Sequence, residues 1–507
     1  MFEVVYGTKG MRNLEQLTKT QIKVDARLDL KVGVKKILEA SSRCYLGEME
    51  RTETEVRVSG RVVTRVIYID ETDSFNSEER HDNFSERLIL KDGVNASSLS
   101  PVAHVIDTRL VDNSNPSAVE VQNIVDVTLL GLVASEIKFV TDLSGDVECK
   151  RDRVAVTTFG DMINTRFEVE EVVDIDRACV GILGSDVSAS LRDIVVGEGK
   201  ITLKGVVSAN IVGVRSGEST HIYNDVVEFD FSKTITSKII GLEDMVTGTL
   251  MVSNVGVRIE NKERVQLVLT AELAFIGHTV VSENLDIVAD AFSFTNLLNF
   301  GQMDVSGVNV LPQVNTLVDV EGNLTLGEKS PYITKIMSVG ASKINSINLV
   351  PANDKVTVEG VLQTQIVYEC EEKIVHTHLA AVPFSTVVKI DGCSTKHTMQ
   401  AYASVQFCKV KARRGRELLV DARVSLNLSV SSAVTSVLTS DVVVGDAKIT
   451  EEGAIMIYTV AQAETLWDVA KRISCRTSEI VAQNPHVEGG LKAGDKLFVY
   501  RQQVVNF

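Results

Sequence analysis

The stretch from Val56 to Tyr68, VRVSGRVVTRVIY, decides the fold because it recurs twice more along the chain. The second copy is ITLKGVVSANIV, from Ile201 to Val212, and the third is VTVEGVLQTQIVY, from Val356 to Tyr368. Each copy has a glycine at the same point, and the three lie 145 and then 155 residues apart: Gly60, Gly205 and Gly360. This spacing is too long for a solenoid repeat and is typical of domains in tandem.

Further landmarks follow each glycine in the same order. A Phe-Ser pair comes 24 to 26 residues later and begins at Phe84, Phe231 or Phe384. Another glycine and an alternating apolar strand complete each copy. Period-two alternation predicts strands with one buried face, and the phenylalanines are expected at equivalent core positions. A glycine inside a strand predicts a bulge, a bend or close approach of another group to the backbone.

Several short strands in each copy predict antiparallel sheets that close into a sandwich or a barrel-like shape. The predicted fold class is therefore mainly β, with three tandem antiparallel β-sandwich or barrel-like domains at residues 1–140, 141–287 and 288–440. A chain of 507 residues has room for three or four domains of roughly 150 residues. Its 44% of hydrophobic residues is enough to form buried cores.

The last part of the chain, residues 453–503, has a different pattern. Tyr458-Thr459-Val460 indicates a short strand, and apolar residues at helical spacing follow from Leu466 to Ile473. Thr465 and Asp468 have the three-residue separation of a capping box, which predicts that the first helix begins there.

A second helix is expected from Thr477 or Ser478 to Asn484, because Pro485 cannot easily continue a helix. The alternation from Lys496 to Tyr500 predicts a second strand. The segment therefore predicts a small α+β domain with the order strand, helix, helix, strand.

This segment resembles a LysM domain from end to end. The matching residues are Tyr458-Thr459-Val460, Thr465-Leu466-Trp467, Val469-Ala470, Asn484-Pro485, Leu491 and Gly494-Asp495-Lys496-Leu497. The resemblance implies a groove for N-acetylglucosamine-containing glycans between the loop before the first helix and the loop after the second. Ala463-Glu464 replaces the Gly-Asp of the family in the first loop. Glu is a poorer helix cap than Asp, and Ala adopts a positive φ less readily than Gly, so we expect a loop reused for protein binding.

The resemblance places a candidate partner-binding surface on the two loops. Its residues are Ala463, Glu464, Thr465, Trp467, Asn484, Pro485, His486 and Leu491. Trp467 is the one tryptophan of the chain and lies one position off the apolar stripe of the first helix. Two interpretations stay open for it. It covers the edge of the core, or it is an exposed anchor at a partner surface, where tryptophan is over-represented.

The three upstream copies resemble the SPOCS domain of sporulation proteins. The resemblance is carried best by the third copy, in Val356–Gly360, Ile366–Tyr368 and Val382–Ser385, while the second copy departs at Val212-Gly213. Three SPOCS domains followed by a LysM domain resemble SipL-like spore coat morphogenetic proteins. The resemblance implies a cytoplasmic protein of the mother cell at the forespore surface. It also implies a scaffold whose LysM domain binds stage IV sporulation protein A, an ATPase of the coat basement layer, with other coat proteins as further candidate partners.

The charge and composition of the chain argue against several classes of partner and binding site. The net charge of −16 disfavours nucleic acid and anionic membrane surfaces as partners. Seven dispersed cysteines without a C-x-x-C pair argue against a disulfide framework and a zinc site, and favour reduced thiols in a cytoplasm. A polar start and the lack of an apolar run of about 18 residues predict neither a signal peptide nor membrane insertion.

No catalytic signature is present: the sequence has no G-x-S-x-G, no Walker A and no H-E-x-x-H. His376 and His378 share a strand face near Cys370, but further metal ligands at a recognised spacing are missing. We therefore predict no enzyme, no cofactor and no metal site. Two alternatives stay open: a peptidoglycan- or cortex-binding structural protein whose LysM domain binds glycan, and a hydrolase that its LysM domain targets.

Overall fold

The computed structural model of the protein describes residues 2–91, 96–112, 115–174, 179–215, 221–238, 240–261, 266–448 and 455–500. In this part of the chain, three β-repeats of one design precede a small βααβ module. The strands are antiparallel, and the two short α-helices lie near the C-terminus. The predicted fold class, mainly β with a small α+β end, is confirmed.

The strands of repeat 1 are β1 (Glu3–Asp29), β2 (Val34–Arg51), β3 (Glu55–Asp70), β4 (Phe75–Ile89), β5 (Ala96–Asp112) and β6 (Ala118–Ser144). Those of repeat 2 are β7 (Val147–Asp174), β8 (Cys179–Gly197), β9 (Lys200–Arg215), β10 (His221–Thr236), β11 (Met245–Asn261) and β12 (Gln266–Ser293). Those of repeat 3 are β13 (Asn296–Val310), β14 (Val314–Thr325), β15 (Ile333–Ala352), β16 (Lys355–Cys370), β17 (Val375–Lys389), β18 (Thr398–Ala412) and β19 (Glu417–Ala447).

Each repeat is a sandwich of two sheets. One sheet is a meander with the order β2-β3-β4, β8-β9-β10 or β15-β16-β17. In the other sheet the last strand lies between its neighbours, as in β1-β6-β5 and β7-β12-β11. In repeat 3 the first strand is divided into β13 and β14, and both pair with β19. The alternating valines of β3, such as Val56 and Val58, pack against Val125 and Val127 of β6 because one face of each strand is apolar.

The repeat glycines lie beneath phenylalanine rings. A Cβ placed on Gly360 would lie 2.5 Å from Cζ of Phe384, and one on Gly205 would lie 2.6 Å from Cζ of Phe231. Phe84 covers Gly60 in the same way. The close approach predicted at the glycines is confirmed, and the phenylalanines occupy equivalent positions at the sandwich core.

The three repeats pack around a shared axis. Equivalent residues of the three meanders meet in one buried cluster, which includes Ile67, Val212 and Val367. The second halves of the last strands pair with the first halves of the first strands. The ribbons that result meet in another cluster, which includes Met11, Ile137, Val156, Ile287, Val305 and Leu438.

Side chains from the central strands close this arrangement into a ring. The residue five positions after each repeat glycine donates to a backbone carbonyl of another repeat. The pairs are Arg65 Nη1 to Ser185 at 3.0 Å, Asn210 Nδ2 to Val339 at 3.2 Å, and Gln365 Nε2 to Leu38 at 3.4 Å. Repeat 1 thus bonds to repeat 2, repeat 2 to repeat 3, and repeat 3 back to repeat 1.

The predicted domain limits at residues 140, 287 and 440 lie within β6, β12 and β19. These strands continue to Ser144, Ser293 and Ala447, because their second halves belong to the ribbons. The alternating pattern that identifies a strand does not reveal that one strand serves two parts of the structure.

The C-terminal module consists of β20 (Ile455–Thr459), α1 (Leu466–Ile473), α2 (Thr477–Gln483), a 3-10 turn (Pro485–Val487) and β21 (Lys496–Tyr500). Its core contains Val469, Ala470, Ile480, Leu497 and Val499. The predicted order of strand, helix, helix and strand is confirmed, and β21 has the predicted bounds.

Candidate partner-binding surface

The loop between β20 and α1 is a tight turn held from within the module. Ala463 has a φ of 63°, the left-handed conformation that favours glycine. The Glu464 carboxylate accepts hydrogen bonds from the Ala461 N–H at 2.7 Å and from the Tyr458 hydroxyl at 2.8 Å, and it pairs with Arg472 at 2.5 Å. These donors hold the pKa of Glu464 below its ordinary value, the Ala461 N–H most of all. Glu464 therefore stabilises the turn.

Thr465 begins α1, as its spacing to Asp468 predicts. Its hydroxyl accepts a hydrogen bond from the Asp468 N–H at 3.3 Å, and the Asp468 carboxylate accepts one from the Thr465 N–H at 2.9 Å. This reciprocal capping box is present, and the hydrogen bonds that the Asp468 carboxylate accepts from the Thr465 hydroxyl and N–H hold the pKa of Asp468 below its ordinary value. The cap fixes the direction in which α1 leaves the turn.

The loop after α2 is anchored by a buried amide. Asn484 is 1% exposed. Its Nδ2 donates to the carbonyls of Ile480 at 2.9 Å and Phe498 at 2.8 Å, while its Oδ1 accepts from the Phe498 N–H at 2.8 Å. The side chain joins α2 to β21 and is not presented to a partner. Pro485 and His486, which follow it, are exposed.

Trp467 lies between the module and repeat 2. Its Nε1–H donates to Oδ2 of Asp290 on β12 at 2.8 Å, and its ring lies edge-on to Phe292 with centroids 5.2 Å apart. Lys471, on the next turn of α1, donates to both oxygens of Asp290 at 2.6 and 2.8 Å. Of the two interpretations left open by the sequence, a residue at the core edge describes this position better, since the indole is half-buried and already engaged.

Further polar contacts orient the module on repeat 2. The Thr477 N–H at the start of α2 donates to the Glu148 carboxylate at 3.1 Å. Lys448 bridges the Ser293 carbonyl and the Ser474 hydroxyl, both at 2.8 Å. The module follows repeat 3 in sequence, yet its helices face the ribbon of repeat 2.

The two-stranded sheet of the module presents an apolar face to solvent. Ile455, Ile457, Phe498 and Tyr500 are 70%, 59%, 54% and 56% exposed, and they form two cross-strand pairs, Ile455 with Tyr500 and Ile457 with Phe498. We call these four residues the apolar face. This face was not predicted from the sequence, although β21 is apolar at both alternating sets of positions, a pattern that indicates apolar residues on both faces.

The structure brings together some of the predicted site residues and separates others. Ala463, Glu464 and Thr465 share the first loop, and Trp467 and Leu491 pack against the same core. Asn484 lies in the interior, whereas Pro485 and His486 are at the surface. Binding of a partner by these eight residues stays a prediction.

The sequence also offered His376 and His378 as candidate metal ligands, on strand β17. The His376 ring stacks on Tyr368 with centroids 5.6 Å apart. Within the described ranges, no group of three or more His, Cys, Asp or Glu side chains could hold a metal ion. Neither described α-helix has the length and apolar composition that a membrane crossing needs.

Comparison with protein families gives a match in the third repeat. Residues 332–413 match the family model of the SipL SPOCS domain. The matched segment runs from β15 to β18 and includes Gly360 and Phe384, in the copy whose motif is the most regular. No curated protein and no solved structure matches the chain. The matched part of the chain is therefore similar to a SipL SPOCS domain, which associates it with sporulation and the spore coat.

Proposed function

We propose that the protein is a non-enzymatic scaffold of spore coat assembly. In this proposal it acts in the mother cell at the forespore surface, and its C-terminal module, a LysM domain, binds stage IV sporulation protein A. The SPOCS domain supports the role in the coat. The observation that carries the binding proposal is the apolar face of the module.

The apolar face suits a protein partner better than a sugar. Two aliphatic and two aromatic side chains, each more than half exposed, form a contiguous patch on paired strands. Exposed patches of this kind mark interaction surfaces, and aromatic anchors on a rigid backbone lose little conformational entropy on binding. Among the described residues, contacts to repeat 2 come chiefly from α1 and the start of α2, and the apolar face is exposed.

The ring of repeats suits a scaffold. Strands of up to 31 residues, paired along their length, form a continuous network of backbone hydrogen bonds. The contacts of Asp290 and Glu148 then hold the module in one orientation on this body. A rigid body with an oriented docking module is an arrangement for positioning one coat protein relative to another.

Binding of the purified full-length chain to purified stage IV sporulation protein A tests the proposal. We expect the double variant Ile457→Asp and Phe498→Asp to weaken binding at least about tenfold, because it places charge at the centre of an apolar contact. The neighbouring exposed cross-strand pair, Thr459 and Lys496, provides the control variant Thr459→Asp with Lys496→Asp, which should bind nearly as the parent does.

Two results would contradict the proposal. One is equal binding by the parent and the Ile457→Asp, Phe498→Asp variant, when the Trp467 fluorescence of the variant equals that of the parent and so shows that the module is folded. The other is retention of the chain on insoluble peptidoglycan without binding to the ATPase. Lytic activity of the purified chain in a zymogram would assign it to the hydrolases instead.

The glycan-binding alternative is favoured by one observation. Ala463 has the left-handed conformation that favours glycine, so the turn before α1 is compatible with the Gly that the LysM family has at this position. In that alternative, the protein is a structural component that binds peptidoglycan or cortex. Variants in the loops before α1 and after α2 would then lose retention on peptidoglycan, whereas variants of the apolar face would keep it.

A further inference from the structure

A cleft of about 500 Å³ lies between repeat 1 and repeat 2. Strands β2 and β3 form one wall with three arginines, Arg43, Arg61 and Arg65. Strands β8 and β11 form the other wall with Gly184, Ser185 and the segment 254–257. Three guanidinium groups therefore line one cleft of a chain whose net charge is −16.

The three guanidinium groups of the cleft are paired unequally with carboxylates. Arg43 forms an ion pair with Asp186, and Arg65 lies 3.8 Å from both Asp186 and Glu79. Arg61 has no carboxylate partner within 4.0 Å among the described residues; it donates to Oδ1 of Asn254 at 3.3 Å. The buried Glu39 also interacts electrostatically with Arg65, so the carboxylates of the cleft lie around Arg43 and Arg65 rather than beside Arg61.

Hydrogen-bond donors in the cleft are also unpaired. The Nε atoms of Arg61 and Arg65 are buried and have no partner among the described residues. Arg65 is 7% exposed, and the Arg61 guanidinium lies 5.7 Å from the centre of the Tyr45 ring. A buried donor without a partner is costly, and guanidinium donors match the oxygens of phosphate and carboxylate groups.

The other repeats show that the fold does not require this cluster. At the positions equivalent to Arg43, Arg61 and Arg65, repeat 2 has Ser188, Val206 and Asn210, and repeat 3 has Lys343, Val361 and Gln365. An amide replaces Arg65 in both and still makes the bond between repeats. Valine replaces Arg61 in both, so the ring closes without a guanidinium at that position.

We infer that this cleft binds a small molecule through a phosphate or carboxylate group, with Arg61 and Arg65 as the principal donors. The volume is within the range of small-molecule sites, and the Tyr45 ring and Val63 provide an apolar wall for the rest of the ligand. The site is independent of the apolar face and of the proposed partner.

Isothermal titration of the full-length chain with pyrophosphate and with citrate tests the inference and distinguishes the two oxygen chemistries. We expect at least one probe to bind at millimolar concentration or below. Arg61→Met should weaken that binding at least about tenfold, because a charged hydrogen bond is lost, while leaving the melting temperature unchanged. The control is Arg57→Met, on the same face of β3 and exposed, which should bind as the parent does.

Three outcomes would overturn the inference. Neither probe binds; or titration of chloride at equal ionic strength gives the same heat as titration of the probe; or Arg61→Met lowers the melting temperature and leaves probe binding unchanged. The last result would assign Arg61 to the interface between the repeats.

Discussion

The ring of repeats and the C-terminal module are held in place by different means. In the ring, strands such as β7 and β12 pair over more than twenty residues, and bonds between repeats recur at equivalent positions. The module instead docks through a few side chains, chiefly around Asp290 and Glu148. The shape of the ring is therefore maintained by many backbone hydrogen bonds, whereas the orientation of the module depends on a few carboxylates.

The largest effect is expected where a side chain would enter the ring at a repeat glycine. In Gly360→Val, the new Cβ would lie 2.5 Å from Phe384 Cζ and 3.0 Å from the Ser346 carbonyl oxygen, so the free energy of unfolding should fall by at least about 3 kcal/mol. Gly10→Val in β1, where a Cβ meets no atom within 4 Å, is the control. Urea unfolding measures both, and equal losses would refute the role of the covered glycine.

A buried histidine should make the ring sensitive to acid. Burial of His278 in β12 lowers its pKa to about 4, while the unfolded chain has a pKa near 6.5. The unfolded state therefore binds the proton first, and stability should fall as the pH drops from about 6.5 to about 4. Relative to its own value at neutral pH, the parent should lose about 2 to 3 kcal/mol more than His278→Gln at about pH 4.5.

Urea unfolding at the two pH values measures this difference. The exposed His486 of the module provides the control variant His486→Gln, which should lose as much stability on acidification as the parent does. If the parent and His278→Gln lost the same stability on acidification, His278 would not be the cause of the acid sensitivity.

Removal of one carboxylate should weaken the docking of the module on repeat 2 and leave the ring folded. Asp290→Ala deletes the acceptor of Trp467 and Lys471, and because Asp290 is partly exposed we expect a loss of about 1 to 2 kcal/mol of docking free energy. Trp467 is the one tryptophan, so its emission should shift to the red. Asp286→Ala, at an exposed ion pair on the same strand, should not change the emission. Unchanged Trp467 emission in Asp290→Ala would contradict the docking role.

The smallest expected effect is a gain in the stability of the C-terminal module. Ala463 adopts a φ of 63°, which strains a residue with a Cβ, so Ala463→Gly should raise stability by about 0.5 to 1 kcal/mol. Ala461→Gly, in the same loop at an ordinary φ, should be neutral or destabilising. Urea unfolding followed by Trp467 emission compares the two, and a loss in Ala463→Gly would show that the turn is not strained.

The local elements of the module could be read from the sequence because each depends on near neighbours. Thr465 and Asp468 form the predicted cap, and Lys496–Tyr500 forms the predicted strand. The apolar face was missed because alternation in a strand identifies which residues share a face, but not whether a neighbour covers that face. The engagement of Trp467 by Asp290 was out of reach for the same reason, since 177 residues separate them.

What the sequence determined by itself is the repeat. The spacing of Gly60, Gly205 and Gly360, the phenylalanines that follow and the alternating strands specify three β-units and a helical end, because backbone geometry and local apolar periodicity suffice for that. Only the tertiary structure decided that the units close into a ring, that Arg43, Arg61 and Arg65 share one cleft, and that the module rests on repeat 2. These features depend on packing between residues far apart in the chain, which periodicity does not encode.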